Sequence, residues 1–164
     1  MSADHLAASL MRRGMLGIGL GLVLSVAAWA LPPEDTRPIR FYADLSADEE
    51  SAPTESPGKG RADFVLERAT LKFSWTITYD GVTSPVTEVW IHGPQRPGTN
   101  AGKLIDLAQQ GLKSPLQGSI VLNEGQLEYL LAGRLYVNLF TTKYKDGGEL
   151  RGQITRARLK PTDS

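Results

Sequence analysis

Leu71-Lys72-Phe73-Ser74-Trp75-Thr76-Ile77-Thr78-Tyr79-Asp80-Gly81 carries the clearest strand signal in the chain. Leu71, Phe73, Trp75, Ile77 and Tyr79 alternate with Lys72, Ser74, Thr76 and Thr78. That period of two predicts a strand with one face buried and the other wet. Asp80-Gly81 then punctuates a turn. Upstream, Ile39 to Leu45 and Ala62 to Leu66 read as strands, separated by a long exposed loop from Ser46 to Gly60 that is dense in Ser, Glu, Asp, Pro and Gly. Downstream, Val86 to His92 places Thr87, Val89 and Ile91 on one face and Glu88, Trp90 and His92 on the other. Gly93-Pro94 ends that strand, and a loop runs to Gly102.

Lys103 to Leu107 and Leu116 to Leu122 read as two more short strands. Between Asn123 and Gly133 the period changes: Asn123 suits a helix N-cap, Leu127, Leu130 and Leu131 share a helical face, and Gly133 suits the stop. Arg134 to Thr142 and Glu149 to Arg158 complete the strands. Many short strands, frequent turns and one short helix predict an all-β, antiparallel β-sandwich in residues 39–158. No internal repeat is visible.

The chain has 164 residues, with 18 basic and 18 acidic side chains and no cysteine. The charge balance gives no electrostatic reason to expect nucleic acid as a partner. Residues 1–30 read as a signal peptide: Arg12-Arg13 precede an apolar run from Met15 to Ala30, and Ala28-Trp29-Ala30 offers a small-x-small cleavage site. The run falls short of the about 20 residues of a comfortable span, so cleavage and export are expected and a retained anchor is the alternative. The arginine pair also loosely fits a twin-arginine signal. Leu31 to Pro38 then reads as an extended linker and residues 159–164 as a polar tail.

Cleavage after Ala30 removes Met1, Met11, Met15 and His5, so the mature chain keeps His92 as its one histidine, with no thiol or thioether. It stays near neutral, because only Arg12, Arg13 and Asp4 are lost from the charge balance. Such an inventory argues against transition-metal, cysteine or Ser-His-Asp chemistry, so no metal, cofactor or catalytic residue is expected. No membrane span is expected in the mature form. His92 reads as a strand-end histidine bonded to the following turn, with a general base or pH-sensitive contact as the alternative.

Four stretches carry a resemblance. They are Phe41-Tyr42-Ala43-Asp44-Leu45-Ser46, Val89-Trp90-Ile91-His92-Gly93-Pro94, Leu130 to Thr141 with its Tyr136-Val137-Asn138, and Gly147-Gly148-Glu149-Leu150-Arg151-Gly152-Gln153-Ile154. In this order they resemble the CHRD domain, found in chordin and in many exported microbial proteins. The resemblance implies an immunoglobulin-like or superoxide-dismutase-like sandwich and attaches no enzymatic activity. It implies a fold role for the motif residues Tyr136, Asn138, Glu149 and Arg151, with Arg151 satisfying carbonyls of a neighbouring loop.

Relatives commonly carry His-Ile-His where this chain has Trp90-Ile91-His92, and a histidine where it has Phe140. Two of three places that could gather imidazoles are thus aromatic carbon. Trp90, His92 and Phe140 become the candidate ligand-binding residues, as a patch for sugar, peptide or another apolar partner; the alternative is that Trp90 and Phe140 only fill space. On a strand Glu149 and Arg151 point the same way, which predicts at most a structural ion pair. Asp146 to Glu149 reads as a turn, and Asp48-Glu49-Glu50 as a solvated loop. Carboxylates such as Glu88 and Glu149 show no spacing that points to a hydrolase. The expected function is an exported, non-catalytic binding or structural module whose partner is a protein or envelope component. A metal-handling or redox domain with a degenerate histidine site is the alternative.

Overall fold

The computed structural model describes residues 36–52 and 54–158. The expected signal peptide, residues 31–35 of the linker and the tail from 159 lie outside the described residues. Strands β1 (Ile39–Ser46), β2 (Lys59–Glu67), β3 (Lys72–Asp80), β4 (Val86–His92), β5 (Lys103–Asp106) and β6 (Leu116–Val121) come first. Helix α1 (Glu124–Leu131) follows, then β7 (Tyr136–Thr141), β8 (Leu150–Gln153) and β9 (Thr155–Arg156). The strand pairings among the described residues are antiparallel, and they join the strands in the order β5-β4-β7-β8-β1-β2-β3-β6, with β9 on β1. Among the described residues the result is an all-β fold with one short α-helix, one 3-10 turn at Ala47–Glu49 and a curled antiparallel sheet.

The alternation predicted for Leu71 to Tyr79 is visible in β3. Phe73, Trp75 and Ile77 are buried while Lys72, Thr76 and Thr78 are exposed. Leu71 is the exception: its φ of 53° places it in the turn before the strand. Phe73 stacks on Phe64 at 5.0 Å and meets Phe41 edge-on at 6.4 Å, contacts worth about 1 kcal/mol each beyond area burial. Val89, Ile91, Val137 and Leu139 from the other half of the sheet belong to the same core cluster. The Trp75 indole N–H donates to the Leu107 carbonyl at 3.1 Å and ties β3 to the chain leaving β5.

The halves meet where β8 reaches β1 through one register pair, Ser46 with Arg151. A Cβ on Gly152 would lie 2.2 Å from the Asp44 carbonyl oxygen, so only glycine lets the two backbones come this close. The last expected strand is broken at Ile154, whose N–H turns to the Leu135 carbonyl before β9 crosses to β1. Helix α1 has the expected cap, a box formed between Asn123 and Gln126. Leu130 is buried, but Leu131 is 52 % exposed, so the apolar face is narrower than the leucine spacing predicts. Among the described residues no helix is long and apolar enough to cross a membrane.

Candidate functional site

The register Glu88 with Phe140, Trp90 with Asn138 and His92 with Tyr136 sets these six side chains on one face of β4 and β7, opposite Val89, Ile91, Val137 and Leu139. Pairing of Asn138 with Arg151 adds the arginine to the same face. Every residue of β7 is buried, so this second face is covered as well. Over His92, Tyr136 and Arg151 the cover is the 93–102 loop, held by Gly93 N–H to Gly102 O and Gln95 N–H to Arg134 O, and over Asn138 it is the turn at Gly147-Gly148.

His92, 5 % exposed, lies under that loop. Its Nδ1 bonds the Ala101 carbonyl at 2.9 Å, which makes Nδ1 the protonated nitrogen, while buried Nε2 has no partner. Burial is the main force holding its pKa below the usual histidine value, aided by Lys103 and Arg151 and opposed by the Ala101 carbonyl and Glu88. The imidazole stacks on Tyr136 at 5.2 Å and lies 5.7 Å from Phe140. The Arg151 guanidinium sits 3.6 Å from the Tyr136 ring centroid. Because β4 and β8 flank β7 on opposite sides, Tyr136 is held between the imidazole and the guanidinium.

Arg151 donates to the Thr99 carbonyl at 2.7 Å and to Asn100 Oδ1 at 2.8 Å, and the Tyr136 hydroxyl accepts from Ala101 N–H at 2.9 Å. Together they pin the loop over His92. Asn138 donates through Nδ2 to the Gly147 carbonyl at 3.0 Å, and its buried Oδ1 has no partner. A Cβ on Gly148, where φ is 95°, would lie 2.0 Å from that oxygen.

Glu149 and Arg151 are not paired with each other, contrary to the expectation from strand spacing. Glu149 precedes β8 and is fully buried. Its Oε1 accepts from Ser56 Oγ and Thr83 N–H, both at 2.6 Å, and its Oε2 from Thr141 Oγ1 at 2.5 Å. Burial is the strongest single influence and pushes its pKa up, but the bonds from Ser56, Thr141 and Thr83 together outweigh it and hold the carboxyl below its usual value.

The three candidate ligand-binding residues do share one face, though unequally placed. Phe140, 6 % exposed, and His92 are buried, and Trp90 is half-buried. The Trp90 indole N–H donates to Glu88 Oε2 at 2.7 Å, and the Lys103 ammonium pairs with the same carboxylate. That ammonium also lies 5.3 Å from the Trp90 ring centroid and 5.4 Å from that of Phe140. The Lys103 bond is the main force lowering the Glu88 pKa.

Two features escaped the sequence. Asp48 and Glu49 are solvated as expected, but Glu50 is partly buried, and burial raises its pKa to about 7 against the opposing charge of Arg151. Its buried Oε1 has no partner. In the shell of Glu149, Ser56 and Thr83 come from remote loops and Thr141 from the end of β7, so no local spacing signals it. Among the described residues no group of three or more His, Cys, Asp or Glu is placed to hold a metal ion. A hollow of about 410 Å³ elsewhere is lined mainly by Ile39, Leu66, Leu71, Leu127 and Leu131 and holds no acid–base pair.

No curated protein and no solved structure matches the chain. The sequence profile of the CHRD domain matches residues 41–154, which span nearly all the described residues and contain the whole cluster around Tyr136, Glu149 and Arg151. The chain therefore belongs to the CHRD domain family.

Proposed function

We propose that this chain is an exported, non-catalytic CHRD module that binds a protein or envelope component, in the cell envelope or outside the cell. The observation that carries the reading is how the polar groups of the family motif are engaged. Arg151, Tyr136 and Asn138 bond loop backbone, Glu149 accepts three bonds in full burial, and His92 is shut under the 93–102 loop. A buried acid and a buried base so engaged suit structure better than turnover. What faces solvent beside them is the Trp90 edge with its Glu88–Lys103 pair, an aromatic surface with charged flanks of the kind that anchors binding. The single-pair junction of β8 and β1, with one core shared by both halves, supports a sandwich of the immunoglobulin or superoxide-dismutase kind. Export rests on the residue 1–30 pattern, and the secreted product should begin at Leu31 when its N-terminus is read by mass spectrometry.

The test is retention on isolated envelope fractions. Trp90→Ala should stay folded by circular dichroism and lose most of its retention, whereas wild-type retention by the folded variant would refute the reading. Phe140→Ala should instead lose about 3 kcal/mol of stability because that ring is buried. A zinc and copper titration separates the alternative: submicromolar binding abolished by His92→Ala would make the domain a metal handler.

A further inference from the structure

The two ends of the sheet are built differently. β5 is four residues long and carries Lys103 and Asp106, the short charged form that discourages edge pairing. β6 at the other end has six residues, Leu116-Gln117-Gly118-Ser119-Ile120-Val121, without a charge or a proline. The Leu122 N–H bonds the Leu71 carbonyl, so Leu116, Gly118 and Ile120 exchange hydrogen bonds with β3. Gln117, Ser119 and Val121 therefore turn their N–H and C=O groups outward. No hydrogen bond to those outward groups occurs among the described residues. Val121 is 69 % exposed and Ile120 is only partly buried.

We propose that the β6 edge is a self-association surface, pairing antiparallel with β6 of a second copy of this chain about a two-fold axis at Ser119. This register makes Ser119 face Ser119 of the second copy and Gln117 face Val121 on both sides, so all the outward groups of the strand are satisfied. On the core-side face Ile120 meets Gly118 of the second copy. The Trp75 ring fills the space where a Gly118 side chain would stand, with Cζ2 2.4 Å from the Cβ position, so Ile120 of the second copy meets the Gly118 backbone and the edge of that indole. A large residue thus opposes a missing one, twice. The uncharged strand carries no like-charge penalty on meeting itself. The exposed charges beyond its ends are opposite in sign, Lys113 before and Glu124 after, and antiparallel pairing runs each toward the other. An extended segment of another protein would satisfy the same backbone but would not bring that matched set.

The chain has no cysteine, so a single introduced thiol reports one position. Facing residues in such a pair have Cα atoms about 5.5 Å apart, within disulfide reach. Each variant is made in the full chain with its own N-terminal segment and oxidised with copper phenanthroline. Ser119→Cys should give a disulfide-linked dimer about tenfold more readily than Thr87→Cys, an exposed position on β4. A mixture of Gln117→Cys and Val121→Cys should cross-link where neither does alone. Failure of either result overturns the proposal, as does equal yield from Thr87→Cys or a disulfide to a different protein.

Discussion

Replacing Glu149 with Gln changes one charge and almost no volume at a carboxyl that is fully buried. In the native site Oε1 receives Ser56 Oγ and Thr83 N–H and Oε2 receives Thr141 Oγ1. The amide oxygen of Gln keeps the first two bonds but as a neutral acceptor, which weakens each by about 1 kcal/mol. The new NH₂ replaces Oε2 and points a donor at Thr141 Oγ1, which must turn its own proton away while still receiving Tyr144 N–H at 3.3 Å. Burying a neutral amide costs less than burying a carboxylate, so part of the loss is returned. A net loss of about 2 kcal/mol at neutral pH is expected, a sizeable share of the roughly 5–15 kcal/mol of a whole domain. The carboxyl is held below its ordinary value near 4.5, so its contribution is present above that pH and fades as pH falls through the folded value. Urea unfolding followed by Trp75 and Trp90 fluorescence should show the full deficit at pH 7 and a smaller one below pH about 4. Equal stability at pH 7, or a deficit that does not shrink in acid, would refute this account of the site.

Two other expectations follow from the same cluster. Glu50 has its pKa raised to about 7, so its neutral form favours the fold: that stability is complete below its ordinary value of 4.5 and is lost as pH rises to about 7. Relative to Glu50→Gln, wild type should lose up to about 3 kcal/mol across that window in urea titrations, less where solvent screens the partly exposed group; the comparison cancels His92, whose lowered pKa acts in the opposite direction. Arg151→Lys keeps the charge but cannot hold both Thr99 O and Asn100 Oδ1 with a planar fork. It should cost about 2 kcal/mol and let the His92 pKa rise toward its ordinary value as water enters, read by NMR titration; an unchanged His92 would show that the loop is held by other contacts.

The fold was legible because its signals are local. The alternation of Phe73, Trp75 and Ile77, the Asn123 cap and the Gly-Pro stop at residue 93 each act within a few residues, and the structure reproduces them. The site was legible only in part, because strand parity places Trp90, His92 and Phe140 on a common face but does not say what covers it. Parity also failed at Glu149, which lies outside the regular strand and turns its carboxyl to Ser56 and Thr83, 93 and 66 residues away. The acidic loop hid Glu50 for a similar reason: composition reports three acids, and only tertiary packing beside Arg151 separates one from its neighbours.

The stretch Gly148-Glu149-Leu150-Arg151-Gly152 explains how the family can be recognised from what the fold demands. Each residue meets a different part of the chain. Gly148 makes room for Asn138, Glu149 gathers the loops at Ser56 and Thr83, Leu150 is fully buried in the core, Arg151 pins Thr99 and Asn100, and Gly152 admits the Asp44 carbonyl. All five sit at or beside the narrow β8–β1 junction, where, among the described residues, the two halves of the sheet are joined by hydrogen bonds between strands of their main order. A change at any of them would leave a buried group without its partner or a side chain without space, at a cost of several kcal/mol. Such positions identify the fold and constrain little else. On the proposed function, specificity falls to what the junction leaves free, the half-buried Trp90 with its Glu88–Lys103 pair and the unpaired β6 edge, both outside the Gly148–Gly152 stretch.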